Sequence, residues 1–512
     1  MVVKLFYDKI FLILHLRILM KAYKKLVEKY ERIHHLSHMQ SIVYWDQQSM
    51  MPQGANDARA KAMAEFGVIL HEASVDKEIA FLLDDAMGED LSTVQKASLH
   101  EMRRNYSNNT ILPSALVKAQ SLAHSKCNHI WSEQRKNNNW KAFEPSLKEV
   151  IKLAKEEASI RSEINGLSAY DSLLDLYEPG MKSETLDGIF AEVKTWLPEL
   201  IQNILEKQKS QAFIEPQGIF EIQAQKELGI KIMNHLGFDF NKGRIDISAH
   251  PFCGGVPEDV RLTTRYDEKD FVQSLMGTIH ETGHACYEQG LPQDLLGLPV
   301  AEARSMGIHE SQSLFFEMQM GRSPEFLKSI HPFITESFGK KKELELDNLI
   351  KIYSKVKPSL IRVDADEVTY ASHVILRYEI ERALMEGQIE TSDIPDMWND
   401  KMQESLGLDT KGNYKDGCMQ DVHWSEGIIG YFPSYTLGAM YAAQQFNTVK
   451  KVYPNINESI ENGDLSQVKS WLKENIWSNA SIYSTDELMK KATGEALNPK
   501  YFKAHLENRY LL

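Results

Sequence analysis

Apolar residues recur at three- and four-residue intervals through nearly all of this 512-residue chain, and that period leaves little room for any architecture but a helical one. Ala22 to Ile33, Asn56 to Ala73, Phe143 to Ser162, Glu184 to Lys207, Lys340 to Lys355 and Asp366 to Glu386 each carry one apolar stripe of the kind a packed helix needs. The prolines fall mostly between these stretches, and Pro179-Gly180 in YEPGM is a turn signal. No unit of about 20–50 residues repeats, which excludes a solenoid.

One region departs from the helical period. Gly243 to Arg265 reads GRIDISAHPFCGGVPEDVRLTTR. Arg244, Asp246 and Ser248 alternate with Ile245 and Ile247, Val260 to Arg265 is rich in β-branched residues, and Gly254, Gly255 and Pro257 supply a turn. The expected fold is mainly α, one large domain with a small antiparallel β element at this point.

The first residues combine Lys4 and Lys9 with an apolar run, but Ile10 to Leu14 is short, and His15 and Arg17 interrupt the run beyond it. A spanning helix needs about 20 apolar residues, and no small-residue cleavage site is near. Residues 1–19 are expected to be an upstream extension, with the domain running from 20 to 512. No partnership with a membrane is expected. The formal net charge of −14, without a Lys/Arg block, argues against nucleic acid as a partner. Cys127, Cys253, Cys286 and Cys418 form no C-x-x-C pair, which suggests free thiols in a reducing, cytoplasmic setting.

Phe271 to Gln289, FVQSLMGTIHETGHACYEQ, is predicted to be a helix. Phe271, Leu275 and Ile279 form its stripe, Asp267 and Asp270 lie where a cap belongs, and Gly290 before Leu291-Pro292 stops it. Within it lies H-E-x-x-H. His280 and His284, four apart, project from one face, and two imidazoles on one rigid turn suit zinc. Glu281 is offset from both and is placed to act as a base toward water that zinc brings to a pKa of about 7. Two features separate this motif from a chance match: it lies well inside a strong helix, and Gly277 and Gly283 beside it point to close approach by a ligand or a neighbouring helix. A catalytic zinc takes a third protein ligand. Val300 to Arg322 reads as a second helix and offers Glu302, Glu310 and Glu317, with His309 as a further candidate. Periodicity does not choose among them.

Several separated motifs then stand in a fixed order: YWDQQSMMP at Tyr44 to Pro52, HPF at His250 to Phe252, D-x-R-x-T at Asp259 to Thr263, HETGH at His280 to His284, HESQS at His309 to Ser313, IRVDAD at Ile361 to Asp366, GCMQDVHW at Gly417 to Trp424, and GYFPSYTLG at Gly430 to Gly438. In this set, from about Met20 to the C-terminus, the chain resembles the carboxypeptidase Taq family of metallocarboxypeptidases. The resemblance selects Glu310 as third zinc ligand. It points to Arg362 for the substrate's terminal carboxylate, which an arginine fork suits. It makes His250, His423, Tyr431 and Tyr435 candidates for the substrate pocket. It implies an elongated helical molecule with a deep groove, a homodimer, and the broad-specificity release of C-terminal amino acids from peptides by zinc-activated water with Glu281 as general base; cobalt is expected to substitute for zinc.

Each assignment has a plainer alternative. Arg362 could form only an ion pair with Asp364, Asp366 or Glu367; Arg261 could only fix the local fold beside Asp259; Trp45, Met50 and Met51 read as packing. Without the resemblance, the same helix would serve a zinc endopeptidase, or a helical scaffold whose zinc is structural or absent.

Overall fold

The computed structural model describes residues 21–248 and 251–512. The 1–19 segment and His250 lie outside the described residues. Helices dominate, as the apolar period requires. The N-terminal helix Ala22–Ser49 packs with Asn56–Ser74 and Lys77–Ala86. Its first half carries the stripe, with Leu26 and Tyr30 buried beside Ile79, Leu83 and Met102 in a small core of their own. Beyond Ile33 the stripe fades into HHLSHMQS, yet the helix continues to Ser49; there His34, Ser37, His38 and Ser41 line a groove instead of a core. Trp45 is buried as expected, under the guanidinium groups of Arg261 (4.3 Å to the ring centroid) and Arg244 (4.9 Å). Met50, read as packing, is half exposed instead, because it lies at the cap just past the helix end.

The rest of the molecule shares one large core that runs from Cys127 to Tyr510. Two predicted helices are shorter than their apolar pattern. In the 340–355 stretch the helix proper is Leu346–Tyr353, because Lys340 to Lys342 offer nothing to bury. In the 366–386 stretch it begins at Tyr370, because the Asp366 carboxylate accepts from the Val368 and Thr369 amides and closes a turn there.

The β element is present where the alternation placed it, and it has three strands: β1 Gly243–Ile247, β2 Cys253–Val256 and β3 Asp259–Thr264. The β2–β3 pair is antiparallel, but β1 runs parallel to β3 on its other side, so the sheet is mixed, in the order β1-β3-β2. Gly254 and Gly255, read as turn, instead form an edge strand with Cys253 and Val256, because Pro257 and Glu258 suffice for the hairpin. Asp259 accepts two hydrogen bonds of 2.9 Å from Arg261, which fixes the local fold in the way its plainer reading anticipated. Strand β3 lies against the Phe271–Gly290 helix, with the Thr264 and Thr278 hydroxyls 3.4 Å apart. The sheet, that helix and the N-terminal helix together wall a groove of about 1850 Å³. None of the described helices is long and apolar enough to cross a membrane.

Candidate active site

The H-E-x-x-H helix spans Phe271–Gly290, capped by the Asp270 carboxylate, which accepts from the Gln273 amide at 3.1 Å. Phe271, Leu275 and Ile279 turn inward, while His280, Glu281 and His284 border the groove. Gly283 shows why a helix-breaking residue sits here. A Cβ at that position would lie 2.5 Å from the Gln312 carbonyl oxygen and 2.6 Å from the Ser313 Cα, so the next helix, Met306–Leu314, touches it backbone to backbone. Gly277, also beside the groove, has no such neighbour among the described residues. On the far side, a Cβ at Gly438 of the Pro433–Val452 helix would lie 2.6 Å from the Glu310 Cγ. Two close approaches therefore press Glu310 toward the histidines.

The ligand atoms of His280, His284 and Glu310 lie within 4.8 Å of one another. Ligands about 2.1 Å from a tetrahedral zinc stand roughly 3.4 Å apart; the His284 Nε2 and a Glu310 carboxylate oxygen are 3.5 Å apart. Two imidazoles and a carboxylate are a donor set that suits zinc. Of the other residues considered for third ligand, Glu317 accepts from His280 Nδ1 at 3.0 Å, which fixes the tautomer and leaves Nε2 free to ligate. Arg322 holds the other Glu317 oxygen at 2.6 Å. Glu302 borders the groove but is not among the three, and His309 stacks on His284 at 4.4 Å while bonding Glu288 at 2.8 Å.

The electrostatics follow from burial and close carboxylates. Burial opposes charge on His280, but Glu317, Glu310 and Glu281 outweigh it and raise the imidazole to about 10; the same field favours any cation placed there. Burial, with His309 adding to it, lowers His284 to about 4 and keeps it neutral. Burial would raise Glu317, yet Arg322 and His280 hold it at about 2. Burial lifts Glu281 to about 7, with His280 and His309 offsetting only part of it, and its Oε2 is buried with no hydrogen-bond partner among the described residues.

Elsewhere on the same groove stands Arg362, its side chain 6% exposed. Its partner is Asp421, from GCMQDVHW, through Nε at 3.0 Å and NH2 at 2.9 Å, and not Asp364, Asp366 or Glu367. NH1 donates to the Tyr370 hydroxyl at 2.8 Å. Arg377 binds the second Asp421 oxygen at 2.7 Å, so two guanidinium groups share one carboxylate and the cluster keeps a surplus positive charge. Tyr435 lies under Arg362, 4.7 Å from ring centroid to Cζ, and lines the groove with Tyr431. His423 stands behind Tyr435, its Nε2 3.2 Å from that hydroxyl, and is not part of the groove wall; burial and Arg362 lower it to about 4. Asp421, Arg377 and Tyr370 went unassigned in the sequence. Only the place of Asp421, two positions before His423 in GCMQDVHW, offered a signal.

The family model described as carboxypeptidase Taq (M32) metallopeptidase matches residues 25–510. Thermostable carboxypeptidase 1 of Thermus thermophilus is 36% identical over 96% of this chain and 98% of its own. Carboxypeptidase 1 of Bacillus subtilis is 35% identical over 95% and 97%. Among solved structures, Trypanosoma cruzi metallocarboxypeptidase 1 superposes with a TM-score of 0.94 at 44% identity, covering 96% of this chain and 99% of that one. The ordered motifs, the helical fold and these full-length likenesses agree: the chain belongs to the carboxypeptidase Taq (M32) family of metallopeptidases.

Proposed function

We propose that this carboxypeptidase is a zinc enzyme that releases single amino acids of many kinds from peptide C-termini, with His280, His284 and Glu310 as ligands and Glu281 as general base. The observation that carries this reading is the convergence of three possible ligand atoms beside a buried carboxylate whose Oε2 has no partner among the described residues, along one groove. When bound, zinc supplies a Lewis acid for the scissile carbonyl and acidifies water at neutral pH. Glu281, raised to about 7, is suited to take a proton from the attacking water and return it to the leaving amine. Glu317 orients His280 through its Nδ1 proton.

Arg362 is the proposed seat of the terminal carboxylate. Asp421 and Tyr370 engage three of its N–H groups, and a guanidinium has five, so two remain to donate. The surplus charge shared with Arg377 favours an anion there. Tyr431 and Tyr435 are proposed to donate to the carbonyl oxygen as its negative charge develops; His423 supports Tyr435 from behind. His250 is a further substrate-pocket candidate on the family resemblance alone. Both apolar side chains (Val272, Met276, Met318) and charged ones (Asp270, Lys357) line the groove, which fits broad acceptance of residues. Cobalt is expected to replace zinc. Four unpaired thiols fit work in the cytoplasm, and the family resemblance supports a homodimer.

The test is to incubate purified protein with N-blocked peptides of varied C-terminus, before and after chelation, and to identify the products released. Single C-terminal amino acids should appear, vanish with chelator, and return with zinc or cobalt. Internal fragments, or turnover indifferent to chelation, would defeat the proposal.

A further inference from the structure

We propose that the C-terminal helix positions the metal site and acts through Arg509; this rests on the reading of His280, His284 and Glu310 as ligands. The helix is Lys500–Tyr510. Arg509 donates from NH1 to the Met318 carbonyl oxygen and to the Glu367 carboxylate, the latter at 3.0 Å, and from NH2 to the Gln319 carbonyl oxygen at 2.8 Å. Met318 and Gln319 follow Glu317 inside Phe315–Gly321, a π-helical turn that continues directly from the Glu310 helix. A π turn is an uncommon, locally widened conformation, met most often at functional sites. Its carbonyl groups need acceptable partners when buried, and one planar guanidinium serves two of them at once.

The turn sets the direction of Glu317, and Glu317 fixes the tautomer of His280. The line of contact therefore runs from Arg509 through the Met318 and Gln319 carbonyls to Glu317 and on to His280. Glu367 keeps the clamp in place. It is almost wholly buried, and it is bound on its remaining sides by His505 and by the Tyr510 hydroxyl at 2.9 Å, both from the same C-terminal helix. A residue almost at the end of the chain is thus tied, through one irregular turn, to the orientation of a proposed ligand 229 positions earlier. Arg509 touches no reacting atom; its role is to position.

The measurement is zinc affinity of the full chain by competition with a chromophoric chelator, for wild type, Arg509→Ala, Arg509→Gln, His280→Ala and Lys503→Ala. Loss of an outer partner of a metal ligand weakens binding about 10- to 100-fold. Arg509 stands one contact beyond that partner, so Arg509→Ala should weaken zinc by up to about 10-fold, and Arg509→Gln, which keeps one amide donor, should weaken it less. Lys503→Ala removes a half-buried charge of the same helix, one that pairs with Glu507 and lies over Trp196, and should bind zinc as wild type does, which separates loss of the clamp from loosening of the helix. If Arg509→Ala does not fold, Arg509→Gln carries the test. Wild-type zinc affinity in a folded Arg509 variant, or equal weakening in Lys503→Ala, overturns the proposal. If His280→Ala itself retains wild-type affinity, the ligand assignment fails instead.

Discussion

His280, His284 and Glu310 come from two successive helices locked together at Gly283, whereas Arg362 takes its charge partner from Asp421, 59 positions along the chain. The first cluster is built by helix geometry: four-residue spacing aligns the imidazoles, and a missing side chain lets the next helix in. The second is built by long-range electrostatics, with two arginines around one buried carboxylate and tyrosines packed against the guanidinium. The two clusters should therefore fail differently. Damage to the first should reach metal or proton transfer; damage to the second should leave metal alone and reach recognition.

The largest effect should come from Glu281→Gln, which removes the base and no ligand. Turnover should drop by about 10²- to 10⁴-fold, with zinc content by elemental analysis unchanged; near wild-type turnover would remove Glu281 from the mechanism. Arg362→Lys tests the other cluster. It keeps a charge but loses the fork, and a charge-assisted hydrogen bond is worth about 1.5–3 kcal/mol. Steady-state kinetics should show kcat/KM lower by roughly 10- to 150-fold, with zinc content intact. Reduced zinc content in that variant would merge two regions that are here held apart.

Glu317→Gln should weaken zinc by about 10- to 100-fold, since an amide is a poorer acceptor for the His280 Nδ1 proton. Calorimetric titration checks this, and unchanged affinity would reduce Glu317 to packing. The pH dependence is the mildest probe. Glu281 acts only when ionised, so kcat/KM should rise with pH through an acid limb. That limb lies near 7 in the field of the protein alone and lower once a dication sits beside the carboxylate. Glu281→Gln should lose it.

The same contrast explains how far the sequence discloses the molecule. The H-E-x-x-H helix was legible almost to the residue, 271–289 against Phe271–Gly290, because an aspartate cap, an apolar stripe and a Gly-x-Pro stop agree locally. The neighbouring stretch, read as one helix from 300 to 322, is instead a 3₁₀ turn, a short α-helix from Met306 and a π turn from Phe315. No local signal marks that break; Arg509, far along the chain, bonds the π-turn carbonyls. Glu310, Glu302 and Glu317 were indistinguishable by period for the same reason: which of them joins both histidines in one cluster depends on two other helices closing on the Met306–Leu314 helix, one at Gly283 and one at Gly438. Arg362 stood out by residue type, but its pairing with Asp421 did not, since nothing local links positions that meet only in the folded chain. The sheet was found by alternation, while its mixed pairing depends on β1 choosing the outer side of β3.

The most direct test of a metal cluster and a separate carboxylate anchor is a pair of N-blocked peptides, identical except that one ends in a free carboxylate and the other in an amide, given to wild type and to Arg362→Ala. Wild type should release the last residue from the acid and leave the amide nearly untouched, and the variant should lose the acid activity while keeping its zinc. Comparable cleavage of the amide by wild type, or undiminished preference for the acid in the Arg362 variant, would contradict the account.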